Sequence, residues 1–385
     1  GSEARLEAAE RGLGPVLRPT PDEAWPTAAP TGPLEIPVEG APATAWTVGH
    51  KSVLVIRVDF SDLPGEPRRG STIYTAAYAQ NLADTQISPF YAQSSFGQTS
   101  LTHTVTTQVY RLPQTATFYA TGGANTQLHA AARAAAAANY TVDGYDRILV
   151  VFSSLSGISG SLITYGGLAQ VGAKNGWING AFDFRVVAHE LGHTYGLRHA
   201  NLWQVGDGNA VSATGASTEY GDDYDTMGAN YANDRRTDFN PWFKNRLGWA
   251  ADSQVQTVTT SGIYRLDRFD NSTGTGTLGL TFTRDSTRNY WVGVRRNFTT
   301  NASLQHGAYV IWGYNTSQAS NLIDTTTPGS SVADAALAVG STLLDATGNV
   351  SIRTVAEGGA PPNEYLDVQV TMGLNGLPVF STQPQ

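Results

Sequence analysis

The sequence contains no cysteine. Disulfide scaffolds, cysteine-based zinc sites, thiol catalysis and a cysteine latency switch are therefore excluded. The compartment stays open, because a cysteine-free chain suits export and cytosol equally. Charge is also scarce, at 15% Asp, Glu, Lys and Arg, against about 25% in ordinary globular chains. Disorder as the main state is thereby disfavoured, since it needs high charge and few aromatics. The formal net charge is −8, which argues against a nucleic-acid partner, whose binders carry a basic face. No apolar run approaches the ~18 residues of a membrane span. Aromatic residues, by contrast, are plentiful: 8 Trp, 17 Tyr and 13 Phe supply bulk for a sizeable core. At 385 residues, two domains of the usual ~100–200 residues are expected. The opening Gly1-Ser2 reads as a cloning scar, which is compatible with loss of a leader peptide ahead of it.

Residues 1–46 differ from the rest. Charged residues from Glu3 to Arg11 are followed by Pro15, Pro19, Pro21, Pro26, Pro30, Pro33, Pro37 and Pro42. That density imposes an extended path and defines a Pro-rich N-terminal extension, either a surface strap or a propeptide remnant. Residues 47–252 alternate between strand and helix signals. Ser52–Phe60 and Arg147–Ser153 are continuous apolar runs, as in buried strands. Ser100–Tyr110 alternates and is rich in Thr and Val. Ile73–Phe96 suits a helix broken or bent near Pro89, Asn125–Asn139 is alanine-rich, and Phe184–Leu197 reads as a third helix. Leu162–Ile178, with its glycines, predicts an edge strand with bulges. From residue 253 to 385 short Thr-, Val- and Tyr-rich alternating segments take over, with a helical period surviving only at Ala333–Ala338. The expected class is α/β (α+β) with a mixed sheet, followed by an all-β C-terminal sandwich.

One segment carries chemistry. Residues 186–201 read VVAHELGHTYGLRHAN and contain His189-Glu190-x-x-His193-x-x-Gly196-x-x-His199. His189 and His193 are four apart, so on a helix both imidazoles project from one face, one turn apart. Two neutral imidazoles so placed can share a zinc ion. Gly196 tolerates positive φ and can end the helix, letting the chain return His199 as a third ligand. Three protein ligands leave a fourth position for water, the mark of a catalytic rather than a structural zinc site. Glu190 adjoins the first ligand and is placed to act as general base and acid. Peptide-bond hydrolysis by activated water is the reaction this set implies.

The long form of the motif resembles the metzincin peptidases. Thermolysin-like enzymes use a downstream Glu as third ligand, for which Glu219 is the nearest candidate, but Gly196 with His199 favours the histidine set. Metzincins also place a tight Met-containing turn beneath the metal, and Met227, 28 residues after His199 and followed by Gly228, fits that part. With EYGDDYDTMG (Glu219–Gly228) and FNPWFKNRLGW (Phe239–Trp249), the sequence is similar to the gametolysin-like family. VLVIRVDFSD (Val53–Asp62) and FYAQSSFGQTSL (Phe90–Leu101) are also similar in style to secreted bacterial metallopeptidases of the immune inhibitor A kind. The resemblance spans about residues 50–250. It implies a secreted bacterial zinc endopeptidase acting on peptides or proteins, glycoproteins among them. His189, His193 and His199 would be ligands, Glu190 the base, and Met227 and Gly196 supporting residues. Astacin-like relatives have a Tyr two residues after the turn Met; here Ala229 stands there, and Tyr231 lies further on.

Other candidates weigh less. Asp222, Asp223 and Asp225 could hold a structural calcium ion, though loop-shaping hydrogen bonds are the favoured reading. Gly166, Gly167 and Gly172 would let a substrate backbone approach the Leu162–Ile178 edge. Arg235 and Arg236 read as a solvated pair near the cleft, and His50, His103, His129 and His306 as isolated packed or surface histidines. Asn139, Asn271, Asn297, Asn301 and Asn315 head glycosylation sequons. The competing functional class is an inactive metzincin-like adhesion or glycan-binding protein, against which the intact Glu190 stands. A latent enzyme would need Asp22 or Glu23 to reach the metal, there being no cysteine.

Overall fold

The computed structural model describes residues 45–228, 237–271, 273–297, 301–315, 317, 319–327 and 331–374. The Pro-rich extension up to residue 44, with Asp22 and Glu23, lies outside them, as do Ala229, Tyr231, Arg235 and Arg236. Among the described residues the chain divides into two compact units. One takes Gly49–Ala92 and Thr99–Gly196; the other takes 45–48, Gln93–Gln98 and the chain from Leu197 onward.

The first unit is built on β1 (Gly49–Asp59), whose apolar run is buried from Val53 to Asp59. A two-strand ribbon of β2 (Arg68–Arg69) and β3 (Thr72–Ile73) follows. Helix α1 (Ala76–Leu82), a π-helical stretch (Ala83–Ile87) and α2 (Ser88–Ser94) run on without a break. The bend expected near Pro89 is thus taken up as a π-helical segment immediately before it, a known way to accommodate a disturbed hydrogen-bond ladder. Next come β4 (Thr99–Val105), β5 (Tyr110–Arg111), α3 (Ala116–Thr121) and α4 (Asn125–Ala136). The unit is completed by β6 (Arg147–Phe152), β7 (Gly167–Ala169), β8 (Asn175–Asn179) and α5 (Phe184–Tyr195). The main sheet has the order β4-β1-β6-β8-β7, with β5 paired to the far end of β1. Every pairing is parallel except β7 with β8.

Leu162–Ile178 is therefore not one edge strand. It contains β7, the antiparallel edge, and β8, which lies inside the sheet against β6. Gly176 permits that position, since a Cβ there would stand 2.5 Å from a methyl of Leu149. The core gathers Leu54, Ile56, Ile148, Val150 and Trp177 from the strands with Leu128 and Ala132 from α4.

The second unit is richer in strands. It holds β9 (Ala200–Gln204), β10 (Ala216–Thr218), α6 (Pro241–Arg246), β11 (Val255–Thr257), β12 (Gly262–Asp267), β13 (Gly279–Thr283) and β14 (Arg288–Gly293). After α7 (Ala302–Gln305) come β15 (Gly307–Tyr314), β16 (Ser320–Leu322), β17 (Leu337–Ala338), β18 (Thr342–Asp345), β19 (Val350–Gly358) and β20 (Tyr365–Met372). One sheet runs β10-β9-β16-β15-β14-β13-β11, with β17 attached to β15; the other runs β12-β20-β19-β18. Leu280, Val292, Val310 and Trp312 of the first share a core with Leu266, Ile352, Leu366, Val368 and Val370 of the second. The helical period at Ala333–Ala338 forms no helix; its end becomes β17. Ala335 and Ala336 are buried while Ala333 and Ala338 are exposed, and six residues are too few to hold a helix alone. No helix among the described residues is long and apolar enough to cross a membrane.

Candidate metal centre

Helix α5 begins at Asp183, whose side chain accepts the Val186 N–H at 3.0 Å. It ends at Gly196, with φ +112°, where the N–H turns back to the carbonyl oxygens of Gly192 and His193. A side chain at that left-handed position would strain the backbone. The helix is buried from Val187 to Tyr195, so its orientation is set by packing. The Tyr91 hydroxyl donates to the Ala188 carbonyl at 2.7 Å, and the Tyr91 and Tyr195 rings stack at 5.3 Å. Arg147 Nε donates to Thr194 Oγ1 at 3.0 Å. The Gly172 N–H reaches the His193 carbonyl at 2.8 Å, tying the β7–β8 turn to the helix end.

These supports hold the His189 and His193 rings edge to face, 4.7 Å apart. His189, His193 and His199 each bring one ligand atom to within 4.8 Å of the others. Among the described residues this is the one group of three or more histidines or carboxylates arranged to hold a metal ion. His50, His103, His129 and His306 are not in it. His103 and His129 are buried elsewhere, and burial pushes their imidazoles down to about 4 and about 3. Imidazole donors suit zinc, copper, iron and nickel rather than calcium or magnesium.

Glu190 is buried on the same helix, and its Oε2 has no hydrogen-bond partner. Burial drives its carboxyl well above the ordinary range, opposed by the charge of Arg185. An unpartnered buried carboxylate oxygen is costly. A cation on the adjacent histidines or a polar ligand would relieve that cost, so the residues present fit a metal. The strand above Glu190 is β7. A Cβ at Gly167 would lie 2.4 Å from Glu190 Oε1 and 2.6 Å from Val186 Cγ1. Gly167 thus makes room for Glu190. Gly166 has ordinary space around it, and Gly172, at φ +68°, serves the turn.

His199 follows the helix cap and is fixed by the segment Glu219–Gly228. Its Nδ1 lies 2.7 Å from Glu219 Oε1, and its ring lies 3.8 Å from that of Tyr220, tilted 36°. Tyr220 has φ +61°, a conformation costing about 1–2 kcal/mol for a residue with a side chain. Its N–H is held by Asn201 Oδ1 at 3.0 Å. Backbone bonds from Asp222 N–H to the Ala200 carbonyl and from Ala200 N–H to the Met227 carbonyl continue the match, at 3.3 and 3.0 Å.

Met227 is fully buried. Asp225 accepts the Met227 N–H at 2.7 Å through Oδ1 and the Asn240 N–H at 2.7 Å through Oδ2. The Thr226 N–H donates to the Asp238 carbonyl at 3.0 Å. EYGDDYDTMG and FNPWFKNRLGW are therefore stitched together through Asp225. Gly228 is obligatory, because a Cβ would stand 1.7 Å from the Asp222 carbonyl oxygen. Asp222 accepts the Tyr224 N–H and the Tyr309 hydroxyl. Burial pushes Asp222 up to about 7 and Asp225 well above the ordinary carboxylate range, the latter also by the charge of Asp222. Both carboxyls accept the hydrogen bonds that shape the turn.

The roles of Glu219, Tyr220, Asp225 and Gly167 do not emerge from motif reading. Spacing flagged Glu219 only as an alternative ligand, whereas the structure sets its carboxylate against His199. No family model matches the sequence, and none of the curated proteins matches it.

Proposed function

We propose that the chain is a zinc-dependent endopeptidase of metzincin, gametolysin-like kind, exported from a bacterium and acting on peptide or protein substrates. The observation that carries this reading is the convergence of three histidine donors, two of them on a helix that also holds a buried, unpartnered glutamate oxygen. His189, His193 and His199 would hold the ion. Zinc at that position supplies Lewis acidity, polarising a scissile carbonyl and acidifying water. Glu190 takes the proton of the attacking water and returns it to the leaving amine. Its burial keeps the carboxylate from being levelled by solvent, and Gly167 allows β7 to close over it. Met227, buried and held by Asp225, would be the supporting methionine of the metzincin pattern. In this reading the first unit carries the metzincin-type sheet and active-site helix, and the two sheets of the second unit, which take in β9 and β10 as well as the strands after residue 253, form a β-sandwich accessory domain.

The test is digestion of a diverse peptide mixture, with products read by mass spectrometry, for the parent and for Glu190→Ala. Cleavage by the parent, lost in the variant and on chelation, supports the reading. Absence of cleavage by the zinc-loaded parent, with or without removal of residues 1–46, refutes it.

A further inference from the structure

Glu219 and Tyr220 lie 20 and 21 residues beyond His199, yet both address its imidazole. A carboxylate can only accept, so the 2.7 Å contact assigns the proton to His199 Nδ1 and leaves Nε2 as the donor to a metal. The Tyr220 ring covers one face of the same imidazole at 3.8 Å. That ring is delivered by a backbone in the left-handed region, φ +61°, which is retained because Asn201 Oδ1 holds the Tyr220 N–H. Asn201 is two residues from His199, so the clamp closes on the segment it clamps. His199 has no helix to orient it, since α5 ends before Gly196. His189 and His193 are aimed by their helix; His199 needs another device.

We propose that Glu219 and Tyr220 are positioning residues for His199, the carboxylate fixing its tautomer and the ring fixing its plane, and that together they set the metal affinity of the centre. The inference rests on the metal-centre reading above but not on peptidase activity. A hydrogen-bonded carboxylate also strengthens an imidazole as a ligand, and loss of such a partner typically costs about 10–100-fold in metal affinity.

The experiment is a zinc titration of the full chain against a chromophoric chelator, repeated with Co2+ to record the visible ligand-field spectrum. The proteins are the parent, Glu219→Ala, Glu219→Gln, Tyr220→Gly, Tyr220→Phe and His199→Ala. Glu219→Ala is expected to bind zinc about 10–100-fold more weakly and to alter the Co2+ spectrum. Glu219→Gln, which keeps an acceptor without the charge, should recover part of the loss. Tyr220→Gly should lose about two- to tenfold, the range of an aromatic contact, although it relieves the backbone. Tyr220→Phe should match the parent. Parity of Glu219→Ala with the parent, while His199→Ala is impaired, overturns the proposal, as does failure of Glu219→Gln to recover anything. If Glu219→Ala does not fold, parity of Glu219→Gln with the parent in both titration and spectrum overturns it. A parent that binds no zinc, or a His199→Ala variant that binds as the parent does, removes the metal-centre reading itself and the clamp with it.

Discussion

Gly167 on the edge strand β7 packs directly on Glu190, so closely that a Cβ would stand 2.4 Å from Oε1. Gly167→Ala should therefore move the Glu190 carboxylate while leaving the histidines in place. A displacement of this size at a reacting group costs on the order of 100-fold in rate. If the chain is the zinc peptidase proposed above, peptide cleavage should fall by about that factor with zinc content equal to that of the parent. The check is steady-state cleavage beside metal analysis of the same sample; parent-like turnover would contradict the close-packing account.

Asp225 uses both carboxylate oxygens on backbone donors, the N–H groups of Met227 and Asn240. Asparagine offers one oxygen and would set an NH2 against the other donor. Asp225→Asn should destabilise the second unit by about 1–3 kcal/mol, the cost of a buried donor left unsatisfied. Urea unfolding followed by tryptophan fluorescence reads this, and a midpoint equal to that of the parent would show the turn to be held by other means.

His129 sits on α4 against Trp177, ring centroids 4.8 Å apart, with Nε2 donating to the Ile148 carbonyl at 3.4 Å. Burial lowers its pKa from 6.5 to about 3. The unfolded chain thus takes up this proton near pH 6.5 while the folded chain refuses it until about pH 3. The stability contribution is complete above pH 6.5 and is lost as the pH falls from there toward 3. Between pH 7.5 and 5 the loss from this residue should be about 2 kcal/mol. His129→Gln keeps a donor and does not titrate, so its unfolding free energy should change less over that interval. An unchanged pH slope would remove His129 from the acid response.

Zinc should raise the thermal midpoint. At a free concentration one hundred times its Kd, a ligand bound only by the folded state adds about 2.7 kcal/mol. His193→Ala should abolish the increment, and His50→Ala, an exposed histidine outside the cluster, should preserve it. Differential scanning calorimetry with and without zinc separates these cases, and a parent insensitive to zinc would argue against a metal held in the folded state.

Local signals carried a definite share of this protein. The i, i+4 histidine pair, the Asp183 cap and Gly196 determine where α5 starts, which face holds His189 and His193, and where it stops, because helix geometry and positive φ are properties of short stretches. The apolar runs of β1 and β6 and the alternation of β12 and β20 were legible for the same reason: period and burial repeat within a few residues. What only the tertiary structure decided is long-range. Parallel pairing of β9 with β16, more than one hundred residues apart, leaves no local trace. The division of Leu162–Ile178 into an edge strand and an interior strand depends on Leu149 meeting Gly176. The partners of the metal centre belong to the same class. Glu219 against His199, Asp225 against Asn240 and Gly167 over Glu190 are contacts between residues whose separation in the chain is arbitrary. Ligand spacing is constrained by one helix and its cap, whereas the residues that orient those ligands are constrained only by proximity in the folded chain, which can bring them from anywhere in the sequence.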